Sequence, residues 1–365
     1  MEKRYWFSAP GRTELGGNHT DHQNGCVLAA AVGLETSAEV KLNRDGVIRV
    51  FSKGYPDVQI DLNDLTCRDT ERGTTAALVR GIAAAFVLRG AALQGFDATV
   101  RSDVPPGSGL SSSAAFEVLM ARIFNELFLG SKLDAVEIAK IGRWAENVYF
   151  GKPCGLMDQL ASSVGGVIWA DFVDPENPLV EKIPFDFSAC GHALCIIDTG
   201  GDHASLTGQY AAITEDLQAV CACFRKTRLR EVPQKDFYGA LPALRKQVSD
   251  RAILRAIHIY EENIRVTKQA AALKTGDFAT FLQLCRESGR SSWMYLQNIY
   301  SAGAVEQPMA VALALCHQLL GDRGAYRVHG GGFAGTVQAF VPEHMLDMFQ
   351  SAMEAVTGKG SCRIL

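Results

Sequence analysis

The sequence predicts an α+β fold of two domains, and three observations lead to this prediction. The chain has 365 residues, which is enough for two domains of ordinary size. Residues 47–52 and 58–62 alternate between apolar and polar side chains, as half-buried strands do. Residues 116–128 carry apolar side chains at helical spacing, and most of the second half up to residue 325 has helical patterns as well.

Composition excludes several classes of protein. The hydrophobic content is 47% and the formal net charge is −4, which fits a globular protein and gives no reason to expect a nucleic-acid partner. Residues 1–10 lack the apolar segment of a secretory signal, and no apolar run approaches the length that spans a membrane. The ten cysteines are scattered without metal-binding spacing. We therefore expect reduced thiols, a cytoplasmic location and no membrane partner.

A loop rich in glycine and serine, residues 104–113, stands directly before the helix at 116–128. Gly107 and Gly109 allow the backbone to approach a ligand closely. The free N–H groups and the positive dipole end of a helix N-terminus favour a phosphate. No Lys stands in the loop as the Walker form requires, and Ser112 replaces the third Gly of a dinucleotide loop. The sequence thus predicts a different phosphate loop, with a plain serine cap as the alternative.

The helix after this loop is expected to bury one apolar stripe. Glu117, Arg122 and Asn125 are predicted to lie off that stripe. The stripe itself consists of Phe116, Leu119, Met120, Ile123, Phe124, Leu127 and Phe128.

An early segment, residues 8–25, is rich in glycine and small polar residues and is therefore predicted to be a loop. Its Arg12, His19 and Asp21 are close enough in sequence to converge on one polar ligand. Asp accepts hydrogen bonds from neighbouring hydroxyls, and Arg holds a phosphate or orients a carboxylate. A metal site at His19, Asp21 and His22 is one alternative, and a structured turn with an exposed Arg is another.

Other elements follow from local patterns, while residues 26–32 could form a strand or the start of a helix. Further strands are predicted at 95–101, 193–199, 326–328 and 336–341, and further helices at 74–89, 134–149, 206–225, 237–248 and 251–275.

Two carboxylates stand out near residues 146–158. Glu146 lies in the last turns of a predicted helix, where the dipole disfavours an acid, so it is either a solvated side chain or a functional one. Asp158 follows a Pro/Gly loop between apolar neighbours, so it is either a helix cap or a functional acid.

The late segment 330–335 contains the G-x-G-x-x-G pattern of dinucleotide sites. That fingerprint opens a helix, whereas residues 336–341 alternate like a strand. We therefore predict a glycine-rich hairpin that approaches a ligand or another part of the backbone.

Taken together, these motifs resemble those of the GHMP kinases. The early loop, the serine loop and the late turn match the three signature motifs of that superfamily in order. Three short segments are most similar to the galactokinases, namely Gly11-Arg12, His19-Thr20-Asp21 and residues 153–159. The resemblance spans residues 8–340, almost the whole chain.

This resemblance implies a fold and a reaction. Residues 1–185 would form a domain like ribosomal protein S5 domain 2, and residues 186–365 a ferredoxin-like domain that carries the turn 330–335. The reaction would transfer the γ-phosphate of ATP to the anomeric hydroxyl of galactose, with Mg²⁺ as cofactor. Sugar and ATP would be the small-molecule partners. Family members are often monomers, and a monomer is the expectation here.

The resemblance also implies roles for individual residues. Asp158 matches the catalytic base, and Arg12 matches the residue that keeps this base ionised. Ser113 and Glu146 match the magnesium ligands. The nucleotide phosphates would be held by Gly107, Ser108, Gly109, Leu110, Ser111, Ser112 and Ser113. The sugar would be bound by Asn18, His19, Thr20, Asp21, Gly155 and Tyr210.

Departures from the galactokinase pattern cluster on the sugar side. Asn18 stands where galactokinases have a Glu that contacts the C6 hydroxyl, and His22 replaces a Tyr. The residues after Tyr210 differ, and Ala334 replaces a Gly. A neutral Asn18 would not repel a C6 carboxylate, so a galacturonate kinase or another hexose-1-kinase is the main alternative. A non-catalytic regulator that binds sugar and ATP is the other, and the intact serine loop and Asp158 speak against it.

Overall fold

The computed structural model describes residues 3–200, 207–301, 303–333 and 335–365. These residues fall into two compact units. Unit 1 comprises the chain through Thr13 together with Ala30–Gly165, and unit 2 comprises Glu14–Ala29 together with Gly166–Leu365. These units are defined by contacts in space and not by position along the sequence. They therefore do not test the predicted domain boundary at residue 185, which stays a prediction.

Strands β1 (Arg4–Gly16) and β2 (Cys26–Leu42) each pass from one unit into the other, and they pair with each other. Unit 1 adds β3 (Val47–Ser52), β4 (Val58–Asp61) and β5 (Phe96–Ser102), in the order β4-β3-β5-β2. The pairing of β3 with β5 is parallel, whereas β3–β4 and β2–β5 are antiparallel. Their inward side chains alternate along each strand, which is why the sequence predicts β3 and β4 correctly.

The helices of unit 1 cover this sheet with apolar side chains. They are α1 (Thr75–Leu88), α2 (Ser112–Leu129), α3 (Ala135–Trp144) and α4 (Met157–Val164), and a π-helical turn Ala145–Phe150 follows α3. The predicted stripe of α2 is confirmed, since its central residues are buried in the core and its outer ones pack against that core. The rings of Phe86 and Phe124 stack with their centroids 5.5 Å apart, and Phe96 meets Phe124 edge-on at 5.5 Å.

Unit 2 contains a hairpin and a four-stranded antiparallel sheet. The hairpin pairs β6 (Val167–Asp171) with β7 (Leu179–Ile183). The sheet has the order β11-β8-β10-β9, from β8 (His192–Asp198), β9 (Ala325–His329), β10 (Thr336–Pro342) and β11 (Cys362–Ile364). The hairpin of β9 and β10 confirms the prediction that the glycine-rich segment joins two strands.

Helices account for most of the rest of unit 2. They are α5 (Thr207–Cys223), α6 (Gln234–Gly239), α7 (Leu241–Leu244), α8 (Asp250–Lys274), α9 (Phe278–Ser291), α10 (Pro308–Leu320) and α11 (Leu346–Thr357), with a π-helical turn Ser292–Leu296 after α9. One apolar core joins the sheet to α10 and α11, and a second joins α5 to α8. The mixture of helices and strands in both units confirms the predicted α+β class.

Two sequence-based expectations are wrong. Residues 8–16 belong to β1 and are not a loop, because β1 pairs with β2, which gives its backbone N–H and C=O groups hydrogen-bond partners. The glycines and the proline in this segment interrupt the alternation of apolar and polar residues by which a strand is predicted. The helix predicted at 237–248 is two short helices, α6 and α7, with Ala240 between them. Pro242 stands in the first turn of α7, and since it lacks an N–H it cannot continue α6. The first residue of the helix expected at 206–225 lies outside the described residues.

Two further findings concern the whole chain. Among the described helices, none is both long enough and apolar enough to cross a membrane. All ten cysteines are described, and each is a free thiol.

Candidate active site

The serine loop connects β5 to α2 in unit 1 and has an unusual backbone. Gly107, Gly109 and Ser111 all have positive φ, at 72°, 73° and 54°. Ser108 donates a hydrogen bond to the Pro105 carbonyl at 2.7 Å, and Leu110 is fully buried. The side chains of Ser108 and Leu110 therefore stabilise the loop. Ser112 and Ser113 are half-buried in the first turn of α2, where the backbone N–H groups of a helix are free to bind an anion.

Arg12 and Asp158 form a forked ion pair beside this loop. Arg12 Nε donates to Asp158 Oδ1 and Arg12 Nη2 to Asp158 Oδ2, both at 2.7 Å. Arg12 Nη1 donates to the Gly109 carbonyl, and the Arg12 amide donates to the Leu110 carbonyl at 3.0 Å. Ser111 Oγ donates to Asp158 Oδ2 at 2.5 Å. Strand β1, the serine loop and the first turn of α4 are thereby joined through one carboxylate.

The electrostatics of Asp158 favour its ionised form. Burial alone would raise the pKa of this carboxyl, and the charge and hydrogen bonds of Arg12 are the largest causes that lower it. The hydrogen bond from Ser111 and the charge of Lys152 act in the same direction, so the pKa of Asp158 lies below its usual value. Its side chain remains 34% exposed, whereas that of Arg12 is 8% exposed. Asp158 is therefore an ionised acceptor that a ligand hydroxyl can reach. It does not cap α4, whose N-cap is Leu156.

Glu146 is buried in the π-helical turn after α3, which rules out the solvated alternative. Lys152 Nζ lies 3.1 Å from Glu146 Oε1, and Gln159 Nε2 donates to Glu146 Oε2 at 3.0 Å. The same Gln159 nitrogen donates to Glu117 Oε2 at 2.9 Å. Burial, and secondly the charge of Glu146, raise the pKa of Glu117 well above its usual value.

These side chains fit a magnesium ion by the type of their donors. Mg²⁺ is commonly held by one or two protein oxygens together with substrate phosphates. Glu146 offers a carboxylate oxygen that already faces a cation, the ammonium of Lys152. Ser113 offers a hydroxyl and lies one helical turn before Glu117 on α2. The carboxyl groups of Glu117 and Glu146 both accept from the Gln159 amide, so these groups lie close together. Ser113 and Glu146 therefore remain the predicted ligands.

The segment predicted to bind the sugar, residues 17–25 of unit 2 and called the sugar loop below, follows directly after β1 and is fixed by its own contacts. Asn18 is 1% exposed, and its Nδ2 donates to the Gly330 carbonyl at 2.7 Å and to Glu14 Oε1 at 3.3 Å. Asn298 Nδ2 donates to Asn18 Oδ1 at 2.8 Å. Both N–H groups of the Asn18 amide are therefore engaged within unit 2. The galacturonate alternative assumed that this amide could donate to a C6 carboxylate, and no N–H group is left for that contact.

His19 and Asp21 keep atoms that are free to meet a ligand. His19 Nε2 donates to the Gly331 carbonyl at 3.0 Å, and burial lowers the pKa of His19 to about 4. The neutral ring thus presents Nδ1 as an acceptor, and this atom has no partner among the described residues. Asp21 Oδ1 accepts from the His22 amide at 2.9 Å, while Oδ2 has no protein partner in the described part of the chain.

Thr20 has a different place from its neighbours. It is fully buried, and its hydroxyl lies 2.8 Å from the Gly17 carbonyl and 2.6 Å from the Cys26 carbonyl. Its side chain therefore fixes the loop backbone and does not face a ligand. The metal alternative at His19, Asp21 and His22 also lacks support, because the described residues contain no group of three such side chains that could hold an ion.

Tyr210 on α5 packs against the glycine-rich turn. Its hydroxyl donates to the Gly332 carbonyl at 3.0 Å, and its ring meets Phe333 edge-on at 5.7 Å. A Cβ on Gly331 would lie 2.4 Å from Tyr210 Cε1, so only glycine fits there. Gly155 is half-buried in the loop before α4 of unit 1. The Gly-to-Ala departure at Ala334 lies outside the described residues.

Sequence reasoning missed several side chains that organise these groups. Glu117 was assigned to the polar side of α2, yet it is fully buried, because α2 packs against α1, α3 and α4. In unit 2, the buried His258 donates from Nε2 to the Asn18 carbonyl at 3.0 Å and accepts at Nδ1 from Ser291 at 2.8 Å. A charged residue in a strongly apolar helix was the one available signal for Glu117. His258 and Asn298 gave none.

Two family models and a relative of known type match this chain. The model for the GHMP kinases N terminal domain matches residues 77–166, and the galactokinase galactose-binding signature matches residues 1–42. A galactokinase from Streptomyces coelicolor is 33% identical over 352 residues, which cover 95% of this chain and 87% of the relative.

Solved structures share the fold over nearly all of their length. The galactokinase of Lactococcus lactis, solved with galactose, is 22% identical with a TM-score of 0.83, and the match covers 100% of this chain and 92% of that one. The mevalonate kinase of Methanococcus jannaschii is 14% identical with a TM-score of 0.68, over 100% of this chain and 97% of that one. These matches show the two-domain fold that the sequence resemblance implied.

Proposed function

The chain belongs to the galactokinase family of the GHMP kinases, and from this membership we propose that it phosphorylates galactose. The γ-phosphoryl group of ATP would pass to the anomeric hydroxyl, giving galactose 1-phosphate and ADP. The single observation that carries the proposal is the forked contact of Arg12 with Asp158 beside the serine loop. It places an ionised carboxylate next to a loop suited to phosphates.

Asp158 would receive the proton of the anomeric hydroxyl. The O1–H bond breaks towards the carboxylate, the new bond forms between O1 and the γ-phosphorus, and the bond to the β,γ-bridging oxygen breaks to release ADP. Arg12 keeps Asp158 ionised before this step, because its charge lowers the pKa of the carboxyl. One-third exposure leaves Asp158 accessible to the hydroxyl.

The serine loop and the first turn of α2 would hold the triphosphate. Phosphoryl transfer depends mainly on positioning and on neutralising charge, which backbone N–H groups at a helix N-terminus provide. Ser113 and Glu146 would hold magnesium, which when bound screens the charge of the β- and γ-phosphates. Positive φ at Gly107 and Gly109 turns the loop so that its backbone can face the phosphates.

The sugar loop would recognise hydroxyl groups through acceptors. His19 Nδ1 and Asp21 Oδ2 are both acceptors without a protein partner among the described residues, and a hexose offers hydroxyl donors. Galactose is proposed because a galactokinase is the relative at 33% identity and because the galactose-binding signature matches residues 1–42. No contact of the described residues favours galacturonate or a purely regulatory role. We place the reaction in the cytoplasm, where free thiols stay reduced.

An assay that couples ADP release to a second enzyme tests the proposal. Galactose, galacturonate, glucose, N-acetylgalactosamine and mevalonate are offered with ATP and magnesium, and turnover is expected with galactose. Asp158→Asn should abolish turnover while nucleotide binding stays as in the wild type. Asp57→Asn, at an exposed loop position, is the matched control and should turn over normally. A preference for another acceptor, or full activity of Asp158→Asn, would contradict the proposal.

A further inference from the structure

Glu117 is a buried carboxyl group that the proposed mechanism does not use. It lies in the second turn of α2 with 0% exposure, and no Lys or Arg side chain contacts it among the described residues. Burying a carboxyl group without a cation is costly, so its presence in an apolar helix calls for a reason. Its contact in the structure is the amide of Gln159, whose Nε2 donates to Glu117 Oε2 at 2.9 Å.

Gln159 connects this carboxyl group to Glu146. The two hydrogens of Gln159 Nε2 reach Glu117 Oε2 and Glu146 Oε2, the second at 3.0 Å. Glu117 thereby helps to hold the amide nitrogen of Gln159 towards Glu146, with Cys154 Sγ a weaker acceptor at 3.8 Å. Without an acceptor at position 117, Gln159 Nε2 would lose one of the two carboxyl oxygens that fix its place and could shift away from Glu146 Oε2. Gln159 is also the chain neighbour of Asp158.

The surroundings of the cluster keep this orientation fixed. A Cβ on Gly142 of α3 would lie 3.2 Å from Glu117 Oε2 and 3.2 Å from Gln159 Cγ, so α3 closes over the contact. Glu117 Oε1 and Gln159 Oε1 are buried and have no partner among the described residues. Unpaired buried oxygens are uncommon, so these two add to the cost of burying the cluster.

Glu146 is held differently at its two oxygens. Oε2 is fixed from the buried side by Gln159, whereas Oε1 faces Lys152, whose side chain is 63% exposed. Lys152 can therefore leave, and Oε1 is the oxygen that a cation can take while Oε2 stays in place.

We infer that Glu117 is a positioning residue that, through the amide of Gln159, holds Glu146 in the orientation that receives magnesium. The inference rests on the proposed function, because it takes Glu146 as a magnesium ligand. Residues that orient a metal ligand typically change metal affinity by about 10–100-fold when they are replaced. The expected effect of removing Glu117 is thus on metal binding and not on the sugar.

The test measures Mn²⁺ binding to the protein with ADP by electron paramagnetic resonance, beside the magnesium dependence of turnover. Glu117→Leu keeps the volume but removes the acceptor, and it should weaken Mn²⁺ binding by about 10-fold or more. Glu117→Gln keeps an acceptor oxygen and should stay within about threefold of the wild type, since its own amide can turn to meet Gln159. The KM for galactose should not change in either variant.

Two further variants separate folding from positioning. Leu119→Ala, which is also buried on α2, should lower the melting temperature without changing Mn²⁺ binding. Gln159→Leu removes the bridge itself and should weaken Mn²⁺ binding as Glu117→Leu does, which keeps the test valid if Glu117→Leu does not fold.

Glu146→Ala distinguishes this inference from the proposed function. If Glu146→Ala leaves Mn²⁺ binding intact, the magnesium assignment itself is wrong. If Glu146→Ala weakens binding while the folded Glu117→Leu and Gln159→Leu variants bind Mn²⁺ as the wild type does, only the positioning role of Glu117 is overturned.

Discussion

Arg12 meets Asp158 along both edges of the carboxylate, with Nε on Oδ1 and Nη2 on Oδ2 at the same distance of 2.7 Å. This geometry requires a planar guanidinium group, because an ammonium group has no fixed fork. The third nitrogen of Arg12 reaches the Gly109 carbonyl of the serine loop. Arg12 therefore contributes both to the charge state of the proposed base and to its position relative to the phosphate loop.

Replacing Arg12 by Lys should separate charge from geometry. Lys keeps the positive charge but loses the fork and the contact with Gly109, so kcat should fall by about 100-fold, as when one preorganised donor is removed. Asp158 would also lose part of the interaction that lowers its pKa, so the pKa should rise and the acidic limb of the kcat–pH profile should move to higher pH. Profiles measured between pH 4.5 and 8 check this, with the exposed Arg245→Lys as control. An acidic limb that does not move would argue against Asp158 as the group that must be ionised.

Asn18→Asp is expected to impair the sugar loop and not the phosphate loop. The substitution replaces the two donors to Gly330 and Glu14 by a carboxylate oxygen that faces other oxygens. Each buried polar group left unpaired costs about 1–3 kcal/mol, so the loop should shift or loosen. Steady-state kinetics should show a KM for galactose raised by about 10-fold or more, while the KM for ATP stays unchanged. Equal changes in both constants would mean that Asn18 supports the whole protein and not the loop.

Local patterns in the sequence were sufficient to predict the helices and strands that bury one face along their length. The stripe of α2 and the alternation of β3 and β4 are visible because a helix or strand that buries one face repeats its apolar residues at a fixed period. Strand β1 was not visible in the sequence, because its support comes from β2 and from the Leu110 carbonyl, which lies far away in sequence. Pairing over such distances leaves no periodic signal in the strand itself.

The site shows the same limit. The family resemblance named Arg12 and Asp158, but no spacing in the sequence indicates that residues so far apart meet. The polar face predicted for α2 assumed that one side of the helix meets water, whereas α1, α3 and α4 enclose it and bury Glu117. The argument about Asn18 assumed a free amide, and only the contacts with Gly330, Glu14 and Asn298 correct it.

The ion pair between Glu14 and Arg327 is expected to be important for the stability of unit 2. Glu14 Oε1 and Arg327 Nη2 are 2.7 Å apart, and their side chains are 5% and 1% exposed. Arg327→Met removes the cation that faces this buried carboxylate, which should cost about 3–5 kcal/mol in the free energy of unfolding. Arg245→Met is the matched control, because its exposed pair with Asp250 should be worth no more than about 1 kcal/mol.

The double variant of this pair tests the cause of the loss. Urea unfolding should show that Glu14→Met combined with Arg327→Met recovers most of the stability that Arg327→Met loses, since the carboxylate is removed together with its cation. A double variant as unstable as the sum of the single ones would instead assign the loss to packing.

His19 should make the protein less stable in mild acid. Burial lowers the pKa of its imidazole from 6.5 to about 4, so between these values the unfolded chain binds a proton that the folded chain does not. The stabilising contribution is therefore complete above about pH 6.5 and is lost as the pH falls towards 4. His19→Asn removes the titration, and Asn tolerates the left-handed φ of 62° at this position. Melting temperatures at pH 7.5, 6 and 5 should fall less steeply in this variant than in the wild type, whereas the exposed His344→Asn should follow the wild type. If His19→Asn lost stability in parallel with the wild type, His19 would not be a neutral acceptor in the folded sugar loop.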